Sequence, residues 1–144
     1  MREQPWDTAS LPDPPLSLDR TFEGFLDLDW IELTPSSAHV RFDTRDELRQ
    51  SFGLLHGGVY CAVAETVASV ATVQHVWRDG FAASGMSNSG SFLRPITGGV
   101  VDVVARLRHR GDREWFWDHE FRDEQARLCA IVEVTIAVRP ARAG

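Results

Sequence analysis

The feature that most constrains this chain is the run from Val59 to Trp77, in which Glu65 is the only full charge. The run is far longer than an ordinary strand and reads as one helix, beginning near Gly57 and reaching about Arg78. A helix that is apolar nearly all round is normally wrapped by protein rather than laid on a surface. Glu65, set among Val, Ala and Cys, should then face other protein. Burying a carboxylate unpaired is costly, so the expectation is a hydrogen-bonded group, a raised pKa, or both. A charged residue in such a place is a functional candidate. The competing reading is a Glu that snorkels to the surface or caps a neighbouring loop.

Directly before the run stands a His56-Gly57-Gly58 corner. Paired glycines let a backbone approach a ligand closely, because no Cβ stands in the way. A helix starting at Gly57 would point its unpaired N–H groups and its positive dipole end outward. That suits a carbonyl oxygen gaining negative charge during acyl transfer. The plain alternative is that the glycines only turn the chain. Gly57 and Glu65 are eight residues apart on one helix, roughly 12 Å at 1.5 Å per residue. If both serve one reaction, they must come from two chains.

The remaining elements read as β. Leu26 to Glu32 alternates, with Leu26, Leu28 and Trp30 on one face, and Ala38 to Phe42 alternates again beyond a Pro35 turn. Asp43 to Gln50 is a polar link that suits a short helix. After Asp79-Gly80 come four strands, near residues 82–93, 99–109, 114–123 and 128–138, parted by Gly- and Asp-rich turns. One buried helix with about six mostly antiparallel strands is an α+β domain, a curved sheet wrapped around the helix. The domain spans residues 20–140. Residues 1–19, with four of the seven prolines, form an extended or mobile arm, and 141–144 a short tail.

A net charge of −6 argues against a nucleic-acid binder. No uncharged apolar run is long enough to span a membrane, and the N-terminus lacks the apolar core of a signal peptide, which places the expected protein in the cytosol. Cys61 and Cys129 read as reduced, packed side chains. His39, His75, His109 and His119 are scattered without ligand spacing, so no metal or redox cofactor is expected.

With Gln50 six residues before His56, Glu65 nine after it and Ser69 four further on, the pattern resembles the hotdog-fold thioesterases. More narrowly it is similar to the Arthrobacter-type 4-hydroxybenzoyl-CoA thioesterases and the phenylacetate-pathway thioesterases. The stretch Phe92-Leu93-Arg94-Pro95 and the closing EFRDEQARLCAIVEVTIAV read the same way. The resemblance implies an acyl-CoA thioesterase with an aromatic acyl group, working without a cofactor. It also implies a homodimer with shared sites, paired further into a tetramer. In that frame the Gly57 N–H polarises the thioester carbonyl and Gln50 places substrate or water. Glu65 of the partner acts as nucleophile or general base, Ser69 positions the water or the Glu or else simply packs the helix, and His56 has a structural task at the corner, with direct action as a base the alternative.

In the strand after Gly99, alternation puts Arg106, Arg108 and Arg110 on the face opposite Val101, Val103 and Ala105. With Arg94 and Arg113 nearby in sequence, this row is a candidate grip for the phosphates of coenzyme A, or else a solvated strand face. Two other functions fit the same fold. A non-catalytic acyl-CoA-binding or regulatory module would be expected to lack the acid and often to carry a DNA-binding segment. A dehydratase would pair a His with an acid, a spacing that His56 and Glu65 do not resemble.

Overall fold

The computed structural model describes residue 6 and residues 11–142. The remainder of the proposed N-terminal arm and the last two residues lie outside it.

A 20-residue helix, α2 (Gly57–Val76), lies across a six-stranded sheet and continues as one 3-10 turn, Trp77–Asp79. The strands are β1 (Asp29–Leu33), β2 (Ser37–Asp43), β3 (Phe81–Phe92), β4 (Val100–Arg110), β5 (Glu114–Arg122) and β6 (Leu128–Pro140). Their order is β1-β2-β4-β5-β6-β3, and every neighbouring pair is antiparallel. Leu26 belongs to a short helix, α1 (Phe22–Leu26), instead of the first strand. Thr21 caps that helix by accepting from the Gly24 N–H, and Asp27 ends it in a left-handed conformation. The local cap thus overrides the alternation that suggested a strand. The polar link before the corner carries only a 3-10 turn, Asp46–Leu48.

The sheet presses Val101, Val103 and Ala105 of β4, Trp115, Trp117 and Phe121 of β5, and the alternating Val and Ile of β6 against one face of α2. That helix face is Val59, Tyr60, Val63, Ala64, Val67, Ala68, Ala71 and Thr72, all buried. The Trp117 indole N–H donates to Thr72 Oγ1 at 3.0 Å, and Thr72 donates back to the Ala68 carbonyl, so the largest core side chain is satisfied inside the core. Between the tryptophans and Phe121, on the same face, sits a fully buried histidine, His119.

Within one chain the helix is covered on one face only. Its other flank, including Cys61, Ala62, Thr66, Ser69 and Val70, is half-buried, because the sheet lies to one side. The expectation of a helix wrapped on all sides therefore fails for a single chain. On one side of that open flank stands β3, a strand of 12 residues with one hydrogen-bonded neighbour among the described residues, exposed over most of its length.

Candidate functional site

The helix starts where His56, in extended conformation, caps it with its own side chain: Nδ1 accepts from the Gly58 N–H at 2.9 Å. This assigns His56 a structural part and removes the Gly58 N–H from service. The His56 carbonyl takes the Val59 N–H at 2.9 Å. The Gly57 N–H is left without a hydrogen-bond partner among the described residues, at the positive end of a five-turn helix.

Beside it lies the ring of Phe92. A Cβ built on Gly57 would meet that ring at 3.0 Å, so glycine is what lets the aromatic wall close on the corner. Phe92 stacks on Tyr60, with centroids 5.3 Å apart, and Tyr60 stands edge-on to Phe121. Burial pushes the Tyr60 hydroxyl up to about 12, keeping it neutral. Gln50 stands in the tight loop before the corner, where its Oε1 accepts from the Phe52 N–H and leaves the amide NH₂ available. Phe52 itself projects almost fully into solvent.

Glu65 is exposed within one chain, contrary to the expectation of burial. Its carboxylate lies across β3 at Gly85, where a Cβ would fall 2.2 Å from Oε1. One turn earlier Cys61 packs under Gly90, and its carbonyl accepts from Asn88 Nδ2 at 2.9 Å. Burial, and then the charge of Glu65, push the Cys61 thiol up. Ser69 is half-buried one turn beyond Glu65 on the same stripe. So the helix carries an N–H without a partner at one end and a carboxylate two turns on, both bordered by the helix-facing side of β3.

The arginines are not gathered there. Arg106 and Arg108 stand on the convex side of the sheet, where Arg108 pairs with Asp118 at 2.7 Å, and the sheet separates them from α2. Arg110 does not share their face. A β-bulge between Leu107 and His109 shifts the alternation by one, and the Arg110 guanidinium comes to rest over the buried Trp115 ring, 4.6 Å from its centroid. Arg94 lies in the bend just after Phe92, two residues on from the ring that borders the corner.

Sequence reasoning missed Gly85, Asn88 and Gly90 and the wall of Tyr60 and Phe92. A signal was present: β3 reads FAASGMSNSGSF, a strand poor in bulk and free of charge, as expected where another backbone or a side chain must approach closely.

Residues 52–130 match the thioesterase superfamily. The chain belongs to that family. It is 36% identical to the Mycobacterium tuberculosis protein Rv1847, which carries an esterase name, over 91% of this chain and 96% of that one. It is 30% identical to the 1,4-dihydroxy-2-naphthoyl-CoA hydrolase of Escherichia coli, covering 80% of this chain and 84% of the hydrolase. Among solved structures, AziG of S. sahachiroi superposes with a TM-score of 0.78 at 34% identity, covering 85% of this chain and 98% of AziG. The hotdog fold and the thioesterase family read from the Gln50–Ser69 pattern are therefore those of this protein.

Proposed function

We propose that this protein hydrolyses an aromatic acyl-CoA thioester of the 4-hydroxybenzoyl type to the free acid and coenzyme A, in a homodimer whose sites each draw on both chains. The observation that carries the reading is the unspent Gly57 N–H beside the Phe92 wall, on the same helix as the exposed Glu65. The thioester oxygen accepts from that N–H, which stabilises the negative charge of the tetrahedral intermediate. Glu65 of the partner supplies the attack, either by its own oxygen or by drawing a proton from the attacking water. Collapse of the intermediate breaks the C–S bond and coenzyme A leaves as the thiolate; the water route gives the free acid at once, whereas direct attack leaves an acyl–Glu65 anhydride that water then hydrolyses to the acid and the free carboxylate. Gln50 holds substrate or water through its free amide NH₂, and Ser69 steadies Glu65 or that water.

Two features favour the dimer. The half-covered flank of α2 and the uncovered edge of β3 lie side by side. The edge has no proline and no charge to discourage pairing. A second copy set against both would cover them and bring its own corner toward Glu65. An aromatic acyl group is favoured by the naphthoyl-CoA substrate in the name of the 30% identical hydrolase. Of the candidate arginines we assign Arg94 to the phosphates of coenzyme A, since Arg106 and Arg108 lie on the other side of the sheet and Arg110 rests on Trp115. Pairing of dimers through the convex sheet face would complete a tetramer.

The test uses Gln50→Ala and Glu65→Ala. Each homodimer should lose on the order of 10²-fold in kcat against benzoyl-CoA. Co-expressed, the two chains form mixed dimers with one doubly damaged and one intact site, so roughly a quarter of wild-type activity should return if pairing is random. No recovery in verified mixed dimers would refute the shared site, and full activity of Glu65→Ala would refute the role of Glu65.

A further inference from the structure

On the far flank of α2 from β3 is a cavity of about 310 Å³. Trp6, Phe25, Leu28, Trp30, Thr66 and Val70 line it. Resting on the thioesterase reading above, we infer that this cavity receives the acyl group, that Trp6 of the N-terminal arm is a specificity residue, and that the acidic rim rejects acyl groups ending in a carboxylate.

The cavity shares α2 with the proposed acid: Thr66 and Val70, in its lining, directly follow Glu65 and Ser69 in sequence and lie about 100° further round the helix. The Thr66 hydroxyl donates to the Ala62 carbonyl at 2.9 Å, which turns it away from any ligand need of its own. The walls are aromatic and held. Trp6 stands edge-on to Trp30 with centroids 5.4 Å apart, and Phe25 lies under the Arg45 guanidinium at 4.7 Å. Arg45 also donates to the Phe25 carbonyl, fixing the end of α1. Ligand pockets run from about 300 Å³ upward, so this one is at the small end, a size for one or two rings.

Three carboxylates, Asp19, Glu23 and Asp27, also line the cavity, and all three residues are exposed. Their shared sign repels an anionic group, so the coenzyme A phosphates must stay outside and the acyl end inside must be neutral or a hydrogen-bond donor. A ring hydroxyl meets that requirement, and a distal carboxylate does not. Discrimination here comes from repulsion as much as from attraction.

The experiment measures kcat and KM for benzoyl-, 1-naphthoyl-, hexanoyl- and glutaryl-CoA in the wild-type protein, in Trp6→Ala, in Trp6→Phe and in the double variant Asp19→Asn/Glu23→Gln. Trp6→Ala should lower kcat/KM for the two aromatic thioesters on the order of tenfold, mainly through KM, and by clearly less for hexanoyl-CoA. Trp6→Phe should restore most of that loss. The double variant should raise kcat/KM for glutaryl-CoA relative to benzoyl-CoA on the order of tenfold. Equal effects of Trp6→Ala on aromatic and aliphatic thioesters, or an unchanged glutaryl-to-benzoyl ratio, would overturn the inference. Glu65→Ala is run in parallel. If it stays active, the catalytic reading falls while the Trp6 and carboxylate results still judge the cavity. A wild-type protein inert on the whole panel would overturn both.

Discussion

His119 makes a quantitative prediction about acid stability. It is fully buried on β5, against α2. Nδ1 is 3.1 Å from the Val132 carbonyl, and Nε2 has no hydrogen-bond partner among the described residues. Since a carbonyl only accepts, Nδ1 carries the proton of the neutral ring. Burial lowers its pKa from 6.5 to about 4, partly offset by the carbonyls of Val132 and Ala64. A folded-state pKa that low corresponds to roughly 3 kcal/mol of folding free energy. The sign follows from proton counting. Between pH 6.5 and about 4 the unfolded chain binds the proton and the folded chain does not, so stability falls as pH falls. Below that window both states are protonated and this group adds nothing more.

Urea unfolding at fixed protein concentration from pH 7 to 4.5 should therefore show wild type losing about 2 kcal/mol more than His119→Leu. Fixed concentration matters because any subunit association would contribute to apparent stability. Asp102 and Asp123 are separable in the same titration. Hydrogen bonds and charge from Arg41 and His39 hold Asp102 below 3.8 against the opposing effect of burial, and Arg127 does the same for Asp123. Their contributions are present above 3.8 and are lost only as pH falls below it. Parallel losses in wild type and His119→Leu down to pH 4.5 would refute the buried neutral histidine.

Gly85→Ala should displace the Glu65 carboxylate, because the new methyl would fall 2.2 Å from Oε1; kcat should drop on the order of tenfold with little change in Tm. A variant with wild-type kcat would mean that Glu65 acts from another position. Arg94→Ala should raise KM for acyl-CoA and spare a short thioester lacking the nucleotide, whereas equal losses on both would indicate a folding role. Arg110→Ala should instead cost about 0.5–1 kcal/mol of stability, the scale of a partly exposed cation–π contact, read by urea unfolding.

The parts of this protein that were legible in the sequence are those written in bulk and periodicity. Trp115, Trp117 and Phe121 alternate because β5 buries one face, and the apolar run after Gly58 is long because it must cross a whole sheet. The thioesterase family was legible through the spacing of Gln50, His56, Gly57 and Glu65. What failed did so for local reasons. The left-handed Asp27 and the Thr21 cap turned Leu26 into helix, and a single bulge after Leu107 moved Arg110 to the other side of the sheet. His119 hid in plain alternation, since its place on the buried face of β5 follows from the same period that placed the tryptophans.

The harder omission was the ground around Glu65. Its borders are Gly85, Asn88 and Gly90, residues whose contribution is the side chain they lack or a single amide. Small residues leave no hydrophobic period to read, so a strand that shapes a site by yielding space looks like a poor strand. The same absence of bulk explains why Glu65 is exposed in one chain. An apolar helix flank with a carboxylate in its middle and an unblunted strand edge beside it are two unfinished surfaces with a common boundary. A second chain laid on only one of them would leave the other open. Laid on both, it would remove water from around Glu65 and bring the partner's Gly57 N–H toward it, so that assembly and catalysis would be finished by one contact.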